Sequence, residues 1–80
     1  MIHDLKIEYE FAKLHFIGKN NWELRKNDRD FKVGDTIQFT VIEWEGSSNW
    51  KYERTITNVF DDTNLGLQDG YVILSIEKEL

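Results

Sequence analysis

The chain has 80 residues, a formal net charge of −5, 40% hydrophobic residues and 14% aromatic residues. That is the length of one domain, apolar enough to fold and too acidic overall to act as an extended phosphate-binding coat. With no cysteine, disulfides, thiolate nucleophiles and cysteine-ligated zinc are excluded; with no proline, glycine and Asn/Asp clusters must mark the turns.

The opening residues, Met1-Ile2-His3-Asp4-Leu5-Lys6, lack the basic start and apolar run of a secretory signal, and no later stretch reaches membrane-spanning length. The expectation is a cytoplasmic protein, a single domain over 1–80, with no membrane partner. Residues 2–7 carry a short strand pattern. Residues 8–17 are the best helix candidate: Phe11, Leu14 and Ile17 recur at three-residue spacing, with Ala12 and Phe16 beside them, so this stripe is expected to be buried. Glu8 and Glu10 suit the first turn, Lys13 and His15 the last, and Gly18 the stop. His3 and His15 fall in no metal-ligand spacing and read as satisfied surface or helix-terminal histidines; no metal or cofactor is expected.

After a turn at Lys19-Asn20-Asn21, Trp22 and Leu24 alternate with Glu23 and Arg25, the period of a strand. Asn27-Asp28 and Val33-Gly34-Asp35 bracket a connection that Phe31 anchors to the core. Residues 36–44 form the strongest strand, with Ile37, Phe39 and Val41 on one face and Ile42 and Trp44 on the other. Residues 45–49 are a polar turn, 50–60 another strand, 61–69 an acidic connection, and 71–76 a last strand with Val72, Leu74 and Ile76 on one face. One helix with four or five strands points to a mixed α/β, mainly β protein, a compact β-barrel carrying one N-terminal helix.

Chemistry concentrates in residues 23–32, which hold three acidic and four basic side chains and so carry +1, leaving −6 elsewhere. Glu23 and Arg25 share a strand face. Two roles fit the pair: a cross-strand network that fixes the barrel edge, or a reader in which Glu23 holds the guanidinium so that its other donors face a phosphate, a carboxylate or a base edge. Lys26 and Arg29 stand at the rim of such a site, while Asn27 and Asp28 suit local capping. Trp22, Trp44, Trp50 and Tyr52 are candidates for stacking on a base and equally for core packing. No nucleophile elbow or glycine-rich phosphate loop occurs, so no catalytic residue is assigned.

His3-Asp4-Leu5-Lys6, the helix ending at Gly18, the run Glu23-Leu24-Arg25-Lys26-Asn27-Asp28-Arg29-Asp30-Phe31, Val33-Gly34-Asp35 and Gly66-Leu67-Gln68-Asp69-Gly70-Tyr71-Val72 together resemble a small bacterial and phage family related to the ASCH (activating signal cointegrator homology) domains. The resemblance covers nearly the whole chain. It implies a PUA-like fold and a link to RNA binding or, in a distinct branch, to amide hydrolysis of an acetylated cytidine. ASCH members tend to carry Gly-x-Lys-x-x-Glu-x-Arg at a cleft. Gly18, Glu23 and Arg25 match that motif; Asn20 stands at its lysine, with Lys19 adjacent, and Glu23 stands where the hydrolase branch has a threonine. The expectation is therefore a module that binds single-stranded RNA or a nucleotide-like molecule through Glu23, Arg25, Lys26, Arg29, Lys19 and Asn20. The alternatives are a hydrolase acting on a modified nucleoside and a phage or host protein-interaction domain.

Overall fold

A computed structural model describes residues 1–42 and 50–78 of the chain. Strict alternation of inward and outward side chains builds the strands. In β1 (Ile2–Glu8) His3, Leu5 and Ile7 point inward; in β3 (Thr36–Ile42), Ile37, Phe39 and Val41 do; in β5 (Tyr71–Glu77), Val72, Leu74 and Ile76 do. Between them come α1 (Tyr9–Phe16), β2 (Trp22–Lys26) and β4 (Trp50–Phe60), and a 3-10 turn, Thr63–Leu65, precedes β5. Trp44 and the turn expected at 45–49 lie outside the described residues.

The strands form one curled five-stranded sheet in the order β1-β3-β4-β5-β2. β1 runs parallel to β3, and the other three pairings are antiparallel. A parallel neighbour requires a crossover, and residues 9–35, holding α1 and β2, supply it. The expected β-barrel is realised as a half-barrel: among the described residues no ladder joins the edge strands β1 and β2. Part of the curl comes from β4. Ile56 pairs with Ile76 and Asn58 with Ser75, so Thr57 is an extra residue, and its hydroxyl donates to Ser75 O at 3.3 Å. Such a bulge increases local twist and shifts the alternation, which is why Ile56 and then Val59 pack on the core.

α1 lies over the concave face, but not by the stripe expected. Its buried residues are Ala12 and His15; Phe11, Phe16 and Ile17 are exposed and Leu14 is intermediate. Ala12, with no exposed surface, lets the helix approach the sheet closely, and His15 is accepted inside because polar partners meet it there. The helix ends as expected at Gly18, whose φ of 75° is the left-handed conformation that glycine adopts without strain.

The second polar anchor is Asp35, just before β3. Its Oδ2 accepts from His3 Nε2–H at 2.8 Å and from the Lys32 N–H at 3.1 Å, while Oδ1 lies 3.4 Å from the N-terminal ammonium. His3 is buried against Phe31, with ring centroids 4.7 Å apart. Phe31 therefore anchors the 27–35 connection, and Asn27 Oδ1 accepts the Phe31 N–H at 3.4 Å. The His3 hydrogen bond, helped by Lys32 and the N-terminus, holds the Asp35 carboxyl below its usual range against the opposing effect of desolvation.

A depressed folded-state pKa means that the carboxylate stabilises the fold above the ordinary aspartate value of about 3.9 and that this support is lost as pH falls through the folded value. In urea unfolding followed from neutral pH downward, the wild type should be more stable than Asp35→Asn at neutral pH. The gap should narrow only below about pH 3.9. A gap constant down to acid-induced unfolding would remove Asp35 from the acid limb.

Candidate functional site

The β2 register places Glu23 opposite Leu74 and Arg25 opposite Val72, so both charged side chains take the same inward face as the core of β5. Trp22 and Leu24 take the other face and are half exposed. Arg25 Nε donates to Glu23 Oε2 at 2.9 Å, and Arg25 Nη2 donates across the open side of the sheet to Lys6 O on β1, also at 2.9 Å. Arg25 is thus a clasp between the two edge strands, with part of its donor fork already committed.

Glu23 is buried, and its other oxygen, Oε1, lies 3.2 Å from His15 Nε2. That approach lacks hydrogen-bond alignment, since Nε2 has no hydrogen-bond partner among the described residues; it acts as an electrostatic contact. On the far side of the imidazole, Nδ1 and Tyr52 Oη are 2.7 Å apart. Burial pushes the Tyr52 phenol well above its usual pKa; Glu23 acts the same way, whereas Arg54 and Arg25 oppose it. The protonated Tyr52 hydroxyl and His15 Nδ1 share a hydrogen bond on the side of the ring away from Glu23. A continuous polar line therefore runs Tyr52–His15–Glu23–Arg25–Lys6, from beneath the helix to the gap between the edges.

That gap is a cleft of about 590 Å³ lined by residues of β1, α1, β2 and the turn before β2, among them Phe11, Leu14, Asn20, Trp22, Glu23 and Arg25. Its wall is mainly apolar with a few converging polar groups, the usual make-up of a small-molecule pocket. Asn20 contributes a further feature: its Oδ1 is buried and has no hydrogen-bond partner among the described residues.

Of the residues that the sequence points to, Asn20, Trp22, Glu23 and Arg25 line this cleft. Lys19, Lys26 and Arg29 are exposed and do not. Trp50 and Tyr52 are half-buried under α1, where Tyr52 stacks on Phe39 at 5.1 Å and both rings meet Phe16. His15 is the residue that sequence reasoning missed. Read as a helix-terminal surface histidine, it is buried at the centre of the polar line, and His3 is likewise inside. The available signal was position: His15 lies three residues after Ala12, on one helical face. Among the described residues, no group of three or more His, Cys, Asp or Glu is placed to hold a metal ion.

The fold and site define a small, mainly β half-barrel protein with one helix and a cleft between its open sheet edges. The chain belongs to a family described as a domain of unknown function, DUF3850, which matches residues 2–76. In fold it is similar to a protein whose structure is titled "Crystal structure of hypothetical protein PH0355", with a TM-score of 0.62, 18% identity and coverage of 96% of this chain and 98% of that one. No curated protein matches the chain. Among the described residues, no helix is long and apolar enough to cross a membrane.

Because the Tyr52 pKa is raised, its hydrogen bond is intact below the ordinary tyrosine value of about 10 and is lost as pH rises towards the folded value. In an alkaline absorbance titration, one of the three tyrosines should ionise only as the protein unfolds. Tyr52→Phe should abolish that step and lower stability by about 1 kcal/mol. Ionisation of all three before unfolding would refute the buried phenol.

Proposed function

We propose that the protein is a binding module that recognises a base of single-stranded RNA, or a nucleotide-like molecule, in the cleft between β1 and β2. The observation that carries this reading is the buried, unpartnered Asn20 Oδ1 on the wall that also holds the Glu23–Arg25 pair. Buried polar atoms without partners are rare in folded proteins, and a ligand N–H reached by a small rotation of the amide satisfies this one. The remaining Arg25 donors read an acceptor edge, Glu23 keeps the guanidinium oriented, and Trp22 and Phe11 supply flat apolar surface for a ring. The cleft holds about one nucleoside rather than a run of phosphates, in keeping with a chain of net charge −5. Lys26 and Arg29, exposed nearby in sequence, are assigned to the flanking phosphates. The likeness of Gly18, Asn20, Glu23 and Arg25 to the ASCH motif, and with it a PUA-like ancestry, belongs to the same proposal.

One observation favours a second reading, hydrolysis of a modified nucleoside: Glu23 is buried with an imidazole nitrogen at 3.2 Å, a carboxylate–imidazole pair that a small turn of the ring would align for moving a proton. Acylated nucleosides incubated with the wild type and with Glu23→Gln decide it, since product independent of Glu23, or no product, rejects that reading.

For the binding reading, titration at low salt with a mixed single-stranded RNA pool and with the four nucleoside monophosphates should give saturable binding. Asn20→Ala should weaken it roughly tenfold, the loss of one buried hydrogen bond. Arg25→Ala should weaken it as well, whereas Lys26→Ala and Arg29→Ala should chiefly flatten the salt dependence. A wild-type protein that binds neither probe at low salt would end the proposal.

A further inference from the structure

We propose that Arg54 forms a second ligand site, separate from the β1–β2 cleft, that takes an oxyanion, a carboxylate or phosphate group, on the Nε–Nη2 edge of its guanidinium. The bulge-free half of β4 turns Trp50, Tyr52, Arg54 and Ile56 to the inner face, and the sheet register sets Arg54 opposite Ile37, itself opposite His3. An arginine at such a core position normally meets a carboxylate, because a buried charge left alone is strongly disfavoured. Arg54 is only 6% exposed, yet among the described residues no acidic side chain pairs with it. The Glu53 side chain leaves from the opposite, exposed face of the strand.

Two aromatic rings and one carbonyl meet Arg54 instead. The guanidinium carbon lies 4.8 Å from the Tyr52 ring centroid and 5.1 Å from that of Phe16, and Nη1 donates to Glu53 O at 2.8 Å. Ring contacts favour the positive charge but use none of the in-plane N–H donors. Nε and Nη2 have no hydrogen-bond partner among the described residues, and they are not among the side-chain atoms sealed from solvent. A planar fork held against two rings, with one edge unpaired among the described residues, is the geometry for bidentate recognition of paired oxygens. The rings also keep water from part of the group, which strengthens its attraction for an anion. Packing alone does not call for this fork, since an uncharged side chain of similar length fills the same space against Phe16 and Tyr52.

The inference does not rest on the nucleotide reading. Arginine Nε–Hε signals of nitrogen-15-labelled protein, titrated at constant ionic strength with inorganic phosphate, with acetate and with chloride as control, test it. The Arg54 signal, identified by its loss in Arg54→Lys, should shift saturably with an oxyanion and not with chloride, while that of Arg25 stays still. Phosphate alone marks a phosphate-bearing ligand, acetate alone a carboxylate, and both a general oxyanion site. Arg54→Lys keeps the charge but loses the fork and should bind at least tenfold more weakly in calorimetry. Should that variant fail to fold, the chain has only three arginines, so Arg25→Lys and Arg29→Lys identify the Arg54 signal by elimination. No shift, or a linear shift shared with Arg25, overturns the proposal.

Discussion

Glu23 is the constraint on which the rest of this structure depends. It is an acid turned inward on a strand, opposite Leu74, where an apolar residue would complete the core. An unpaired buried carboxylate costs about 3–5 kcal/mol when its partner is removed, far more than the ~0–1 kcal/mol at stake in a surface ion pair. The fold therefore has to bring cations or donors to it from elsewhere, and it does so from two sides. Arg25 comes from the same strand face and His15 from the helix. Tyr52 then orients His15, and Lys6 O receives the far end of Arg25, so α1, β1, β2 and β4 are all located by one carboxylate.

The same requirement explains why the sheet stops short of a closed barrel. β1 and β2 approach each other, but a side chain, Arg25, bridges them where a backbone ladder would otherwise run. A bridge at one point leaves room beside it, and that room is the cleft. The helix contributes to it through Phe11 and Leu14, residues whose three-residue spacing marks the border of the packed face rather than its centre. Arg25 is in consequence both structural and accessible. The side chain that fixes the edge also lines the cleft, so the two roles open in the sequence are not exclusive.

Inward polar residues recur through this small domain: His3 with Asp35, His15 with Tyr52, Glu23 with Arg25. In each case a partner compensates the burial, in line with the general rule that buried polar groups are hydrogen-bonded. Arg54 and Asn20 depart from that rule, and so does the Nε2 side of His15, which meets Glu23 without hydrogen-bond alignment. Arg54 has rings and a single carbonyl, and Asn20 Oδ1 has nothing among the described residues. These departures lie on different elements, and the two proposals above rest on them.

Strand positions, the glycine stop of the helix, the inward faces of β3 and β5, and the pairing of Glu23 with Arg25 were all determined by the sequence alone. Each follows from a two-residue period, from glycine's tolerance of positive φ, or from charges two apart on one strand, and all of these are local. Which face of α1 is buried was not local. Ala12 and His15 win over the larger apolar stripe because the concave sheet offers close approach at one point and Tyr52 and Glu23 at another, residues 37 and 8 positions away from His15 along the chain. Only the tertiary structure could decide that the barrel remains half open, that Arg25 spans the gap to Lys6, and that His15 and Arg54 lie inside. Each depends on the identity of a neighbour brought close by folding, which periodicity within a single segment does not encode.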